Sequence, residues 1–447
     1  MKMRALKTST CLLALLLSFC LTDCSGAGGE SPQTSIPAPV SHLSISSPDS
    51  DNLVRITAEA GFTDGATTVT FSNPAATASL WDFFIANAYA LVTQTLTSNT
   101  DGSFQGSLQG TVSDVITVSY TINGVATSQT LTVPDNVPPL PTTADIQDVS
   151  IDPNTGKALI VANDGTDGFV HVIDLVSKSL EATLTLPGAS GASRLATDPS
   201  SGDSIILDTN NITAIHITLS GDTPTIVSTT AIIASSDIAA GPAGNYVLIA
   251  HTDPSPAVSF FNLTTNSATA VGFSQSESAV DQATAFFVAT DFDGTDDRSA
   301  ILSQMPDASL LITTQTIDES VPSITEDGAT VVEATTPAGL FLFSTATEAM
   351  LTDSAANAVL RVDLTGGSTT SIAVGNSPSG VVVDESNQLA FVVNNGDRNI
   401  SIVSLLDNTI TTTEDAGLSP TEIAIGDVSG TAMIIVVNTG DETVTIY

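Results

Sequence analysis

Positive charge is the scarcest property of this chain: 447 residues carry 10 lysines and arginines against 48 acids, for a formal net charge of −38. Nucleic acid and anionic membrane surfaces both require Lys and Arg to displace counterions, so neither is an expected partner. A cationic or neutral ligand fits better, and solubility in a salty exterior accounts for the acidity without any ligand. Cysteine is nearly missing too. The three present, Cys11, Cys20 and Cys24, all fall within the first 24 residues, so no disulfide framework is expected. Aromatic residues make up 5% with a single tryptophan, and long helical periodicity is almost absent, which argues against helical folds. Also missing are C-x-x-C-H, H-E-x-x-H, G-x-S-x-G and the phosphate-cradling G-x-x-x-x-G-K. No catalytic residue is nominated, and no enzyme class gains support from motifs.

What is abundant is Thr, Val, Ile and Ser in short runs broken by Asn, Asp and Gly, the composition of an all-β chain. Residues 160–175, IVANDGTDGFVHVIDL, return as 391–405, FVVNNGDRNISIVSL, and 435–447, IVVNTGDETVTIY, with a looser copy at 351–364. Each is an apolar run, a polar turn tolerant of positive φ, and a second apolar run, which predicts a β-hairpin. Aligned on the turn, Asn163, Asp208, His251, Asp353, Asn394 and Asn438 are spaced by 45, 43, 102, 41 and 44 residues. The long step fits two units, the hidden one around 286–318. A second recurring piece, a short strand and a turn, precedes the hairpins at Asp148, Arg194, Asp237 and Gly380. Repeats of 40–50 residues with several strands each predict a propeller.

The hairpin VANDGTDGFVHVIDL resembles the YVTN-type repeats of bacterial surface and periplasmic proteins, where V-x-N precedes V-x-V-I-D-L. The resemblance covers 145–447 and implies a seven-bladed β-propeller. Because the last copy ends after three strands, an earlier segment, within 129–141, is expected to close the ring. Some YVTN-like relatives are lactonases acting on sugar acids, which implies basic partners for an anionic substrate. The propeller stretch offers only Lys157, Lys178, Arg194, Arg298, Arg361 and Arg398, with Arg194 and His251 the pair able to converge near a channel.

Ahead of the propeller, residues 1–24 read as a signal peptide: Lys2, Arg4 and Lys7, then an apolar stretch at 11–21 too short to span a bilayer. Leu21-Thr22-Asp23-Cys24 resembles a lipobox with Asp23 departing from its pattern, and Ser25-Gly26-Ala27 is a competing cleavage site. Lipidation at Cys24 would also remove a lone free thiol. Residues 25–40 form a flexible tether, 41–133 a small β-sandwich, and 134–144 a Pro-rich linker. Within the sandwich, TSNTDGSFQGSLQGTVSDVITVSYT resembles bacterial immunoglobulin-like modules. The aromatic stretch at 80–89 reads as an inserted loop capping the core or as an exposed docking patch.

In a propeller the turns between second and third strands share one face, so Asp164, Asp167, Asp208, Asp253, Asp353, Asp397 and Asp441 are expected around one rim. There they would bind a cationic ligand or divalent ion, or simply bond their own turns. Asp291, Asp293, Asp296 and Asp297 partly resemble the calcium loops of integrin-type propellers, which makes calcium the ion to consider. His171 and His216 occupy equivalent repeat positions, and His251 faces the expected channel. The sequence expectation is therefore an all-β chain, an immunoglobulin-like sandwich followed by a seven-bladed propeller. It would be exported to the outer membrane or cell surface on a lipid anchor, or alternatively be periplasmic or secreted. There it would bind a protein or carbohydrate and no nucleic acid. A periplasmic lactonase-like hydrolase is the alternative, and an envelope component packing against its neighbours a third reading.

Overall fold

The computed structural model describes residues 43–49, 52–74, 93–141, 144–242, 244–252, 258–271, 284–292, 296–304, 309–318 and 323–447. Cys24, His42, the 80–89 stretch, Asp253 and Asp293 lie outside them. Every regular element among the described residues is a β-strand.

Strands Leu43–Ile45, Leu53–Ala58 and Phe104–Gln109 form one antiparallel sheet. A second contains, in order, Thr93–Thr97, Thr68–Ser72, Val115–Ile122 and Val125–Thr132. Alternation dictates their packing: Val54, Ile56 and Ala58 point inward from one strand, Ile116, Val118 and Tyr120 from another. These meet Phe62, Val69, Phe71 and Leu108 in one core. Asn123 and Gly124, at φ 51° and 72°, make the tight turn between the last two strands. Both their N–H groups donate to the Asp64 carboxylate, at 2.7 and 2.8 Å.

From Asp145 onward the described residues build six four-stranded antiparallel sheets and then one of three strands. In chain order, sheets 1 to 7 begin with the inner strands Asp145–Asp152, Ala192–Thr197, Ser235–Ala240, Thr284–Phe292, Pro337–Leu342, Pro378–Asp384 and Pro420–Val428. Sheet 4 fills the long step in the repeat. Each inner strand touches the next, and the last touches the first, so the seven form a closed cycle and the arrangement is propeller-like.

The second strands show why the sequence runs are continuously apolar rather than alternating. Lys157–Asn163 is buried on both faces: Ala158 and Ile160 enter a core shared with sheet 7, Leu159 and Val161 a core shared with sheet 2. A distinct apolar cluster fills each of the seven gaps between neighbouring sheets. Each fully buried Ile or Leu contributes about 1.5–3 kcal/mol. Outer strands face water, and Thr409–Asp415 is exposed along its whole length.

The three-stranded sheet 7 is completed from upstream. The Leu140 N–H donates to the Glu442 carbonyl at 2.9 Å, the Ile446 N–H donates to the Asn136 carbonyl at 3.0 Å, and Pro139 bridges Thr443. The Pro-rich linker thus runs along this edge and takes up some of its backbone groups, through one isolated bridge and a few hydrogen bonds rather than a full strand. Residues 129–132 of the expected closing segment belong instead to the sandwich strand Val125–Thr132.

Candidate binding site in the central channel

The described turn acids, expected from sequence around a rim, bond backbone and turn groups. Asp208, 1% exposed, accepts N–H groups from Gly191, Asn210 and Asn211. Asp353, 2% exposed, accepts from Thr335, Thr336 and Ala356. Asp397 accepts from the backbone and side chain of Asn376, and Asp441 from Leu418 N–H and Thr443 hydroxyl. Asp167 accepts from Gly188 N–H, whereas Asp164 bonds only within its own turn, to Thr166 and Asp167. Gly188, Gly191, Thr335, Thr336, Asn376 and Leu418 all lie in connectors between sheets. In sheets 1, 2, 5, 6 and 7 a turn acid therefore clamps the hairpin to an adjoining connector, satisfying N–H groups that no strand pairs.

The charged residues that do meet are on the inner strands. Each carries a bulge near its start, and the next position along faces the axis: Asp148, Arg194, Asp237, Phe287, Gly339, Gly380 and Glu422. A cavity of about 210 Å³ is lined by all seven strands at this level. A wider mouth of about 560 Å³ opens above it, bounded by Asp145, Gln147, Ser193, Ser236 and Thr439 and sharing Arg194 and Glu422 with the cavity below. Sheets 7, 1, 2 and 3 thus present charge to the channel, while sheets 4, 5 and 6 present Phe287, Phe341 and two glycines.

Arg194 Nη1 lies 2.6 Å from Glu422 Oε1 and its Nε 3.9 Å from Asp237 Oδ1. Asp148 accepts N–H bonds from Val149 and, across to sheet 2, from Leu195, each at 2.8 Å. Asp237 likewise accepts from Val288 of sheet 4 at 3.0 Å. Burial pushes the Asp148 carboxyl up to about 8, with Glu422's charge adding and Arg194 opposing. Burial also raises Asp237 to about 6, against the pull of Arg194, and raises Glu422. For Arg194 burial works downward, but Glu422, Asp148 and Asp237 outweigh it and the net shift is upward. Arg194, Asp237 and Glu422 keep 27%, 17% and 26% of their side-chain surface open, so channel water softens this desolvation.

Of the described residues expected at the site, Arg194 alone lines the channel. His251 is fully buried within sheet 3, held by the hydroxyls of Ser235 at 3.2 Å and Ser259 at 2.8 Å, so it does not meet Arg194. His171 stacks along Phe169 and contacts Thr183, and burial lowers its pKa to about 4. His216 lies 2.5 Å from Asn266 Oδ1 and 3.5 Å from Asp203. Asp291 pairs opposite Arg298 in the sheet 4 ladder, Asp296 is exposed, and Asp297 accepts from the Tyr246 hydroxyl at 2.8 Å. No three His, Cys, Asp or Glu among the described residues are grouped to hold a metal ion.

Asp148, Asp237 and Glu422 were not nominated from sequence as site residues. The available signal was their column: each heads an apolar strand at the same place in the repeat as Arg194, where a charge has no packing role.

The sandwich meets the ring on the side of these turns. Arg55 donates to the carbonyls of Leu140 at 2.6 Å, Glu442 at 3.2 Å and Asp441 at 3.3 Å, and Arg398 pairs with Glu59.

No family model matches the chain, and no curated protein matches it. Among solved structures it is similar to hydrazine synthase of Kuenenia stuttgartiensis, a structural neighbour of β-propeller type. The TM-score is 0.56 and the identity 11%, over 69% of this chain and 96% of that one. At that identity the likeness bears on fold alone.

Proposed function

We propose that this chain is an exported surface protein, lipid-anchored through Cys24, in which an immunoglobulin-like module precedes a seven-bladed, YVTN-type propeller serving as a recognition platform. The closed cycle of inner strands and the seven inter-sheet cores support the blade count. The three-plus-four sheet order around one core supports the module. The basic start and short apolar stretch before Cys24 support export.

One observation carries the recognition role. The rim carboxylates are engaged in clamping backbone, whereas four charges of unequal sign converge in a channel with an open mouth. A concave site with a few convergent polar groups is where a ligand binds. The lactonase-like reading draws on the same Arg194–Glu422 pair. It is the weaker reading because three carboxylates already surround that one guanidinium and the three described histidines lie away from the channel.

The test is a thermal-shift and turnover screen of the chain from Cys24 onward against lactones, sugars, organic anions and organic cations. Ser193→Trp, which fills the mouth, serves as control. At least one class should raise the melting temperature of the unsubstituted protein and not of S193W. A screen flat for both proteins overturns the channel as recognition site, and lactone turnover overturns the non-enzymatic reading.

A further inference from the structure

We propose that the channel binds a small organic cation: an ammonium or guanidinium head among Asp148, Asp237 and Glu422, with an apolar or aromatic body against Phe287 and Phe341. This deepens the recognition role above and rests on it.

Charge decides the sign of the ligand. One guanidinium answers three carboxylates, being 2.6 Å from Glu422 and 3.9 Å from Asp237. Arg194 keeps N–H donors beyond its Glu422 bond, but an incoming carboxylate or phosphate would also meet the negative charge that one guanidinium leaves uncompensated. Both Asp148 oxygens already accept N–H bonds, yet each carboxylate oxygen offers a second lone pair to a donor in the channel.

Geometry decides its size. The three carboxylates are fixed on separate sheets, with Arg194 between them and no grouping tight enough for a metal ion. An organic head with several N–H donors can span such a gap where a bare ion of about 2.3–2.6 Å ligand distance cannot. The uncharged sector decides the rest. Phe287, beside Asp237, and Phe341 on the next sheet line the cavity, and aromatic rings attract an organic ammonium. The cavity, about 210 Å³ below a mouth of about 560 Å³, is of small-molecule size.

Asp148 adds a signature. It faces Arg194 from sheet 2, Asp237 from sheet 3 and Glu422 from sheet 7, with Asp145 at the mouth end of its own strand. Burial keeps it protonated close to neutrality, so a bound cation should displace its proton and bind more tightly as pH rises.

Isothermal titration of the chain from Cys24 onward with phenethylamine, at pH 6 and 8 and in buffers of differing ionisation heat, tests this. Calcium chloride, sodium benzoate and glucose are the comparison probes. Phenethylamine should bind, on the order of tenfold more tightly at pH 8, with proton release. Asp148→Asn should cut the release at pH 8, where Asp237, raised only to about 6, is already ionised, and Asp237→Asn should weaken binding at least tenfold. Both are near-isosteric, and unchanged melting temperatures would show that the channel is intact. Binding of benzoate, glucose or calcium that S193W abolishes, with phenethylamine inert, overturns the cation assignment while leaving the recognition role standing. Phenethylamine binding that D148N and D237N leave unchanged also overturns it.

Discussion

Asp208, Asp353 and Asp441 sit in turns with 1–2% exposure, and each accepts N–H groups from its own turn or an adjoining connector. Leaving a buried N–H without an acceptor costs about 1–3 kcal/mol. Asp208→Ala should therefore lose about 2–4 kcal/mol in urea unfolding, since three backbone donors depend on that side chain. Asp397→Ala, whose bonds are exposed to solvent, should lose about 1 kcal/mol; equal losses would argue that neither acts as a clamp. At the channel the pH dependence runs the other way from ordinary acids. Asp174 and Asp363 are held below the usual carboxylate range by turn N–H bonds, so their contribution is present above about pH 4 and lost as pH falls. His171, lowered to about 4 by burial, also favours the fold less as pH falls. Asp148 is raised to about 8, so its contribution is full at acid pH and lost as pH rises from about 4 to about 8. The melting temperature of D148N relative to the unsubstituted protein should accordingly climb across that window. A constant difference would show that Asp148 titrates normally.

Two elements differ in origin: one follows from neighbouring residues and the other does not. Asn123-Gly124 makes its turn locally, the two positive φ values suiting these residue types and few others. The segment at 136–140 is extended against the last sheet only because Glu442, Val444 and Ile446 lie beside it, some three hundred residues away. Arg55 fastens this junction by donating to Leu140, Asp441 and Glu442 carbonyls. Burial lowers its pKa despite the pull of Glu442, the mark of a guanidinium held among protein atoms. Arg55→Ala should lose about 1–3 kcal/mol, since three part-buried carbonyls lose this donor and only that of Glu442 keeps another, the Leu140 N–H. Arg398→Ala, which removes one partly buried ion pair with Glu59 and no set of carbonyl contacts like that of Arg55, should lose about 1 kcal/mol. In calorimetry R55A should split one transition into separate sandwich and ring transitions; a single unsplit peak would mean that other contacts couple the two.

For the molecule as a whole, 48 acids against 10 Lys and Arg make self-repulsion the dominant long-range term. Raising sodium chloride from 20 to 500 mM should raise the melting temperature, because screening relieves that repulsion over more than about 8–10 Å while the short ion pairs are few. A fall would place the stability in the ion pairs instead. The ring opposes repulsion with seven apolar cores, each shared by two neighbouring sheets, so no sheet buries its own face alone.

The repeat itself, the strand–turn–strand grammar and the polar turns are short-range properties, and the chain spells them out: Asn, Asp and Gly at the hairpins, unbroken apolar runs where a strand is buried on both faces. That much determined an all-β, propeller-like architecture from sequence alone. Which acids clamp backbone and which face the axis was decided only on closing the ring. Asp208 and Asp148 are the same residue type at regular repeat positions, one reaching back to Gly191 and the other across to sheet 2. Closure brings Arg194 to Glu422 across 228 residues and seats His251 inside a sheet instead of beside them. A side chain's partner at that separation depends on the path of the whole chain, and local residue pattern carries no record of it.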